Sequence, residues 1–94
     1  MTTKSEIDYL LFSVIKEVIK DNELIDKDST FIGADSNIDS IDIVQIISSI
    51  EDKLEYIGHE GFDLFEITFQ EDCLTFSQFS DLILKNLKNR DVCN

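Results

Sequence analysis

Two Asp-Ser pairs, Asp35-Ser36 and Asp39-Ser40, stand four residues apart in the run Gly33 to Asp42, GADSNIDSID. Three chemistries use these residue types at this spacing. Asp35, Asn37 and Asp39 alternate as the first, third and fifth positions of a calcium loop do. Asp39 or Ser40 could instead cap a helix, because each side-chain oxygen can accept from free backbone N–H groups. An exposed serine at a helix start can also carry an attached phosphate group. The free N–H groups and the positive end of the helix dipole both favour an anion there.

The calcium reading weakens further along the loop. Its sixth position needs glycine and holds Ser40. Its twelfth needs a bidentate glutamate and holds Ile46. No metal site is expected. A helix start remains, with Asn37 suited to a left-handed turn just before it.

The helix that would position these serines is predicted from about Ser40 to Ile57, with Gly58 and Gly61 ending the pattern. At about 100° per residue, Ile43, Ile46, Ile47, Ile50, Leu54 and Ile57 fall in one apolar arc, the core face. The opposite arc carries Ser40, Ile41, Val44, Gln45, Ser48, Glu51, Asp52 and Glu55. Ile41 and Val44 either form an exposed docking spot backed by carboxylates, or are covered by the connection before the helix. Glu51, Asp52 and Glu55 add negative charge to the negative end of the helix, an arrangement expected to cost stability. Lys53 leans by phase toward the far side.

Two other helices have clear patterns. Ile7, Leu10, Leu11, Val14, Ile15 and Val18 make one stripe from about Ser5 to Lys20. Ser5 with Asp8 resembles a capping box, and Thr2 or Thr3 could cap instead. Asp21-Asn22 should end this helix. The last helix is predicted from Thr75, with Thr75 and Gln78 at capping-box spacing and Phe79, Leu82, Ile83 and Leu87 as its stripe. A long polar connection follows the first helix, and Leu24, Ile25, Phe31 and Ile32 can pin it to the core. Before the last helix, Phe62, Leu64, Ile67 and Phe69 fit a short helix or an extended piece, and periodicity leaves both open. The expected fold is all-α: a small bundle of three to four helices, with a long first connection and an extended segment before the last helix.

Residues 1–94 are expected to form a single domain, whose modest core leaves little room for an enclosed active site. Hydrophobic residues make up 43% of the chain, too many for a disordered acidic tail. There is no run of about 18 apolar residues, so no membrane span is expected. Glu6 and Asp8 interrupt the start, which argues against a signal peptide and for a cytoplasmic protein. Eight basic against twenty acidic residues give a formal charge of -12. That charge repels nucleic acid and attracts proteins with basic patches, or serves solubility alone. Cys73 and Cys93 lack CxxC spacing and read as free thiols. His59, the one histidine, sits in a predicted loop, and neither cysteine has an identifiable base. An enzyme is not expected.

Asn37-Ile38-Asp39-Ser40-Ile41 resembles the Gly-x-Asp-Ser-Leu signature of acyl carrier proteins, with Asn37 in place of glycine and Ile41 in place of leucine. The following IDIVQIISSIEDKL is similar to that family's second helix, and the first and last helices match its other long ones. The stretch between Leu54 and the last helix is longer than usual in the family, and Gln45 and Ser48 stand where fatty-acid carriers often have an acid and an apolar residue. The resemblance implies a bundle of acyl-carrier type. It implies a 4'-phosphopantetheine arm, drawn from coenzyme A, on Ser40 rather than Ser36. Asn37, not an apolar residue, follows Ser36, and counting from Ser36 puts the core arc out of phase.

The expected function is then a discrete carrier presenting an acyl or aminoacyl thioester. It would be a monomer that meets its enzymes in trans, in a specialised pathway of fatty-acid, polyketide or nonribosomal type. Its partners would be a phosphopantetheinyl transferase, a loading enzyme and a downstream synthase with basic patches. These would engage Ile41, Val44, Gln45, Ser48, Glu51, Asp52 and Glu55. The alternative is an acidic, non-catalytic binding module with the same fold and no arm, in which Ser40 is only a cap. Modification with coenzyme A and a broad transferase separates the two.

Overall fold

The computed structural model describes residues 3–19, 25–34, 36, 38–59, 61 and 63–92. The expectations placed on Thr2, Lys20, Asp21, Asn22, Leu24, Asp35, Asn37, Phe62 and Cys93 lie outside the described residues. Among the described residues the chain forms four helices and one two-stranded antiparallel pairing. In chain order these are α1 (Lys4–Val18), β1 (Thr30–Ile32), α2 (Ser40–Tyr56), α3 (Leu64–Phe69), β2 (Leu74–Thr75) and α4 (Phe76–Val92). No helix among them is long and apolar enough to cross a membrane.

Helix α1 is capped two residues earlier than the Ser5 and Asp8 pairing suggests, at Thr3, one of the two alternatives. Thr3 is the N-cap. Its hydroxyl accepts from the Glu6 N–H at 3.3 Å, and the Glu6 carboxylate accepts from the Thr3 N–H at 3.3 Å. This is a reciprocal capping box. Asp8 is instead drawn across to α4, where the buried Ser80 hydroxyl donates to it at 2.6 Å. Lys4 joins this contact, reaching Asp81 at 2.9 Å and the Ser77 carbonyl at 2.9 Å. Of the stripe, Ile7, Leu11, Val14 and Ile15 are buried, with Leu10 and Val18 packed at the edge.

Helix α2 ends at Tyr56, one residue before the predicted Ile57, with Gly58 breaking the pattern as expected. The Gly58 N–H donates to the Glu55 carbonyl at 3.0 Å and the His59 N–H to the Leu54 carbonyl at 2.8 Å. This doubly bonded ending needs a left-handed residue, and Gly58 supplies φ +107°. Ile46, Ile47, Ile50 and Leu54 are buried and Ile43 is partly buried. Ile57 departs from expectation: it is 51% exposed. It is the C-cap, where the chain leaves helical phase, so the arc no longer predicts its direction.

The ambiguous middle segment resolves as a helix followed by a strand. Asp63 caps α3 by accepting from the Glu66 N–H at 3.1 Å. The α3 hydroxyl of Thr68 is fully buried and has no hydrogen-bond partner among the described residues. An orphan buried hydroxyl costs roughly 1–3 kcal/mol of desolvation. Thr68→Val keeps the shape and removes that cost. It is expected to raise the unfolding free energy by about 1 kcal/mol in a urea titration, and a loss instead would mean that the hydroxyl has a partner.

The pairing of β1 with β2 is what the all-helical expectation lacked. Thr30 faces Thr75 and Ile32 faces Leu74, with an irregularity between them. The pairing continues into α4. Its first N–H groups, on Phe76 and Ser77, donate to the Ser29 and Lys27 carbonyls at 3.0 and 2.9 Å. Those groups have no partner inside their own helix, so the long first connection satisfies them. Thr75 and Gln78 complete the start with the predicted capping box, at 2.9 and 3.2 Å. Phe31 of β1 is fully buried, with ring centroids 5.1 Å from Phe76 and 4.7 Å from Phe79. Ile25 and Ile32 pack more loosely beside it.

Candidate functional site

The chain enters α2 through a short, tightly bonded approach. Gly33 leaves β1 at φ +136°, a conformation that side chains rarely adopt. A Cβ there would also lie 3.1 Å from the Cys73 Sγ. The Ser36 N–H donates to the Gly33 carbonyl at 3.1 Å. The Ser36 hydroxyl donates to the Phe31 carbonyl at 2.9 Å and accepts from the Ile38 N–H at 3.3 Å. Ser36 is therefore an internal brace, half-buried and occupied on both sides. Ile38 packs against the core and fixes where α2 begins.

Asp39 holds the N-cap position in extended conformation, and its carbonyl accepts from the Ile43 N–H at 3.0 Å. Its carboxylate makes no capping bond. The expected capping role thus falls on neither acid nor serine. Ser40 is the first helical residue, exposed, and its hydroxyl has no bond among the described residues. The result is a free hydroxyl beside backbone N–H groups that no side chain caps among the described residues. Such a helix end favours an anionic group.

Around Ser40 the outer face of α2 is open. Ile41 is 72% exposed and Val44 46%, so the connection before the helix does not cover them. Gln45, Ser48, Asp52 and Glu55 are exposed as well. Glu51 behaves differently. It is half-buried, and its carboxylate accepts from the Leu64 N–H at 2.8 Å, where it caps α3. By phase Glu51 sits at the edge of the outer face that turns toward α3. The expectation that it only costs stability is therefore corrected: Glu51 ties two helices together. Lys53 leans away as predicted, to Glu17 of α1 at 3.7 Å.

The calcium positions Asp35 and Asn37 lie outside the described residues, but Ile46, at the position that would need a glutamate, is wholly buried in the core. Cys73 is exposed, and Cys93 is outside the described residues. His59 is half-buried and lends its backbone to the end of α2.

Sequence reasoning missed two parts of this site. One is the bracing role of Ser36, whose signal was the sharp turn implied by Gly33-Ala34 just before it. The other is the role of Glu51 in capping α3, for which no local pattern exists. No family model, no curated protein and no solved structure matches this chain.

Proposed function

We propose that the chain is a cytoplasmic carrier of acyl-carrier type, modified with 4'-phosphopantetheine at Ser40. The observation that carries this reading is the contrast between the two serines. The Ser40 hydroxyl is exposed at the start of α2 with no bond among the described residues, whereas the Ser36 hydroxyl is held by Phe31 and Ile38. A transferase must reach the hydroxyl that it modifies, and one of the two can be reached. The Asn37 to Ile41 motif supports the same choice.

The chain's own residues do little chemistry in this reading. The Ser40 oxygen forms a phosphodiester with the phosphorus of coenzyme A that bears the pantetheine, the pyrophosphate bond breaks, and adenosine 3',5'-bisphosphate leaves. The hydroxyl proton passes to a base of the transferase, since no base among the described residues bonds to the Ser40 hydroxyl. The attached arm supplies a terminal thiol on which an acyl or aminoacyl group rides as a thioester. The open N–H groups of α2 then face the phosphodiester. The exposed Ile41 and Val44, with Gln45, Ser48, Asp52 and Glu55, make the surface on which partner enzymes meet the arm. Incubation with coenzyme A, Mg²⁺ and a broad phosphopantetheinyl transferase should add one phosphopantetheine by intact mass. An unchanged mass with a transferase that modifies a control carrier would leave the acidic binding module as the reading.

The free acids of this face set the partner's charge. The carboxylates of Asp52 and Glu55 are exposed at the negative end of α2 and bond to nothing in the fold among the described residues. Reversing both to Lys is expected to slow transferase or loading-enzyme turnover several-fold at low salt, through weaker association, with a smaller difference at high salt. Stability should stay level or rise slightly. Glu51→Lys is not an equivalent probe, because it also removes the α3 cap. Turnover that is insensitive to the double reversal would assign these acids to solvation alone.

A further inference from the structure

A groove of about 730 Å³ opens between α1 and α2, lined by Glu6, Tyr9, Leu10, Asp52, Tyr56 and Ile57. It lies near the far end of α2 from Ser40. Twelve residues separate Ser40 from Asp52, about 18 Å along the helix. Tyr9 is 79% exposed, Tyr56 91% and Ile57 51%. Half of the large apolar side chains that stand exposed among the described residues thus gather at one place. Neither tyrosine belongs to its helix's core stripe, and at these exposures neither contributes much packing. Exposed apolar surface of this kind, with a polar rim, marks a contact site.

The charge around the groove selects the occupant. Glu6 and Asp52 stand on its rim, and its one base, Lys53, is drawn aside to Glu17. The first turns of α1 and the last turns of α2 both contribute, and their opposite partial charges offset one another. The side chains therefore set the sign, and it is negative. A second copy of this chain would bring another charge of -12 and the same acidic rim against it. Anionic lipid headgroups are repelled for the same reason. Two helices already flank the groove, so a third can seat its ridges between them. The groove runs from Ser5 to Ser13 along α1, about 12 Å or two turns, which suits apolar anchors one turn apart.

We propose that the α1–α2 groove docks an amphipathic helix of another protein, its apolar side chains against Tyr9, Tyr56 and Ile57 and its flanking Lys or Arg residues facing Glu6 and Asp52. The site stands apart from Ser40 and does not depend on that serine being modified. A carrier reading that failed would leave this proposal intact, and the reverse also holds.

The test uses the full chain and three fluorescein-labelled peptides. One is an amphipathic helix of leucine and lysine. The second has the same composition in scrambled order. The third has glutamate for every lysine. The amphipathic lysine peptide is expected to bind best at low salt, with amide shifts gathered at Tyr9, Leu10, Tyr56 and Ile57. Tyr9→Ser combined with Tyr56→Ser should weaken it by about tenfold or more, and Ile41→Ser should not. Should the double variant lose stability, Tyr56→Ser alone gives the same reading, since that side chain is almost fully exposed. Absence of binding, equal affinity for the scrambled peptide, shifts centred on Ile41 and Val44, or unchanged affinity in the tyrosine variants would each overturn the proposal. So would dimerisation of the chain that the tyrosine variants abolish, since that would give the groove to a second copy.

Discussion

Ser40→Ala is expected to abolish phosphopantetheinylation, while Ser36→Ala remains a substrate. The first change removes the one hydroxyl, among the described residues of 33–42, that is exposed at a helix start. No neighbouring hydroxyl can substitute, because the Ser36 oxygen faces inward between the Phe31 carbonyl and the Ile38 N–H. The Ser40 hydroxyl makes no bond among the described residues, so its loss should leave the unfolding midpoint nearly unchanged. Ser36→Ala should do the opposite. It leaves the arm in place but costs about 1 kcal/mol or more, since two hydrogen bonds are lost and a half-buried N–H is left without its partner. Intact mass and peptide mapping read the first effect, and a urea titration reads the second. An arm mapped to Ser36, or a doubly modified chain, would refute the assignment.

Phe31→Ala is expected to be among the most damaging single substitutions, at about 3–5 kcal/mol. The ring is fully buried and touches Phe76 and Phe79 of α4. Its backbone carbonyl also receives the Ser36 hydroxyl. For a domain of this size the loss is a large share of the total stability, which for folded domains is roughly 5–15 kcal/mol. The effect should be local before it is global. Hydrogen exchange should rise first in 25–38 and at the Phe76 and Ser77 amides, which that connection holds. Gln45→Ala on the outer face should stay within about 0.5 kcal/mol. If Phe31→Ala costs under about 1 kcal/mol, the connection is not anchored by this ring, and the entry to α2 must be held in another way.

The three long helices were legible in the residues alone, because their information is local. An apolar residue every three or four positions, a capping pair and a glycine stop act within a few residues of one another. This is why α2 runs from Ser40 to Tyr56 with Ile46, Ile47, Ile50 and Leu54 inward, and why Ser40 and Ile41 face out. The Thr75 and Gln78 start of α4 and the choice of Ser40 over Ser36 as the candidate were legible too, from motif and phase.

The remaining features arise from contacts made in three dimensions, and in each case the responsible partner is distant in sequence. The strand Thr30–Ile32 exists because Leu74 and Thr75 lie alongside it, and because the first amides of α4 needed acceptors. Three residues have too little periodicity to announce a strand alone. Ser36 became a brace because Phe31 was fixed against α4. Glu51 became a cap because α3 began beside it, so a carboxylate that reads locally as a cost turned out to hold two helices together. Ile57 escaped the core because the helix stopped one residue earlier, which no arc can foresee. The α1–α2 groove belongs to neither helix, since a concavity exists only once two convex surfaces have been packed side by side.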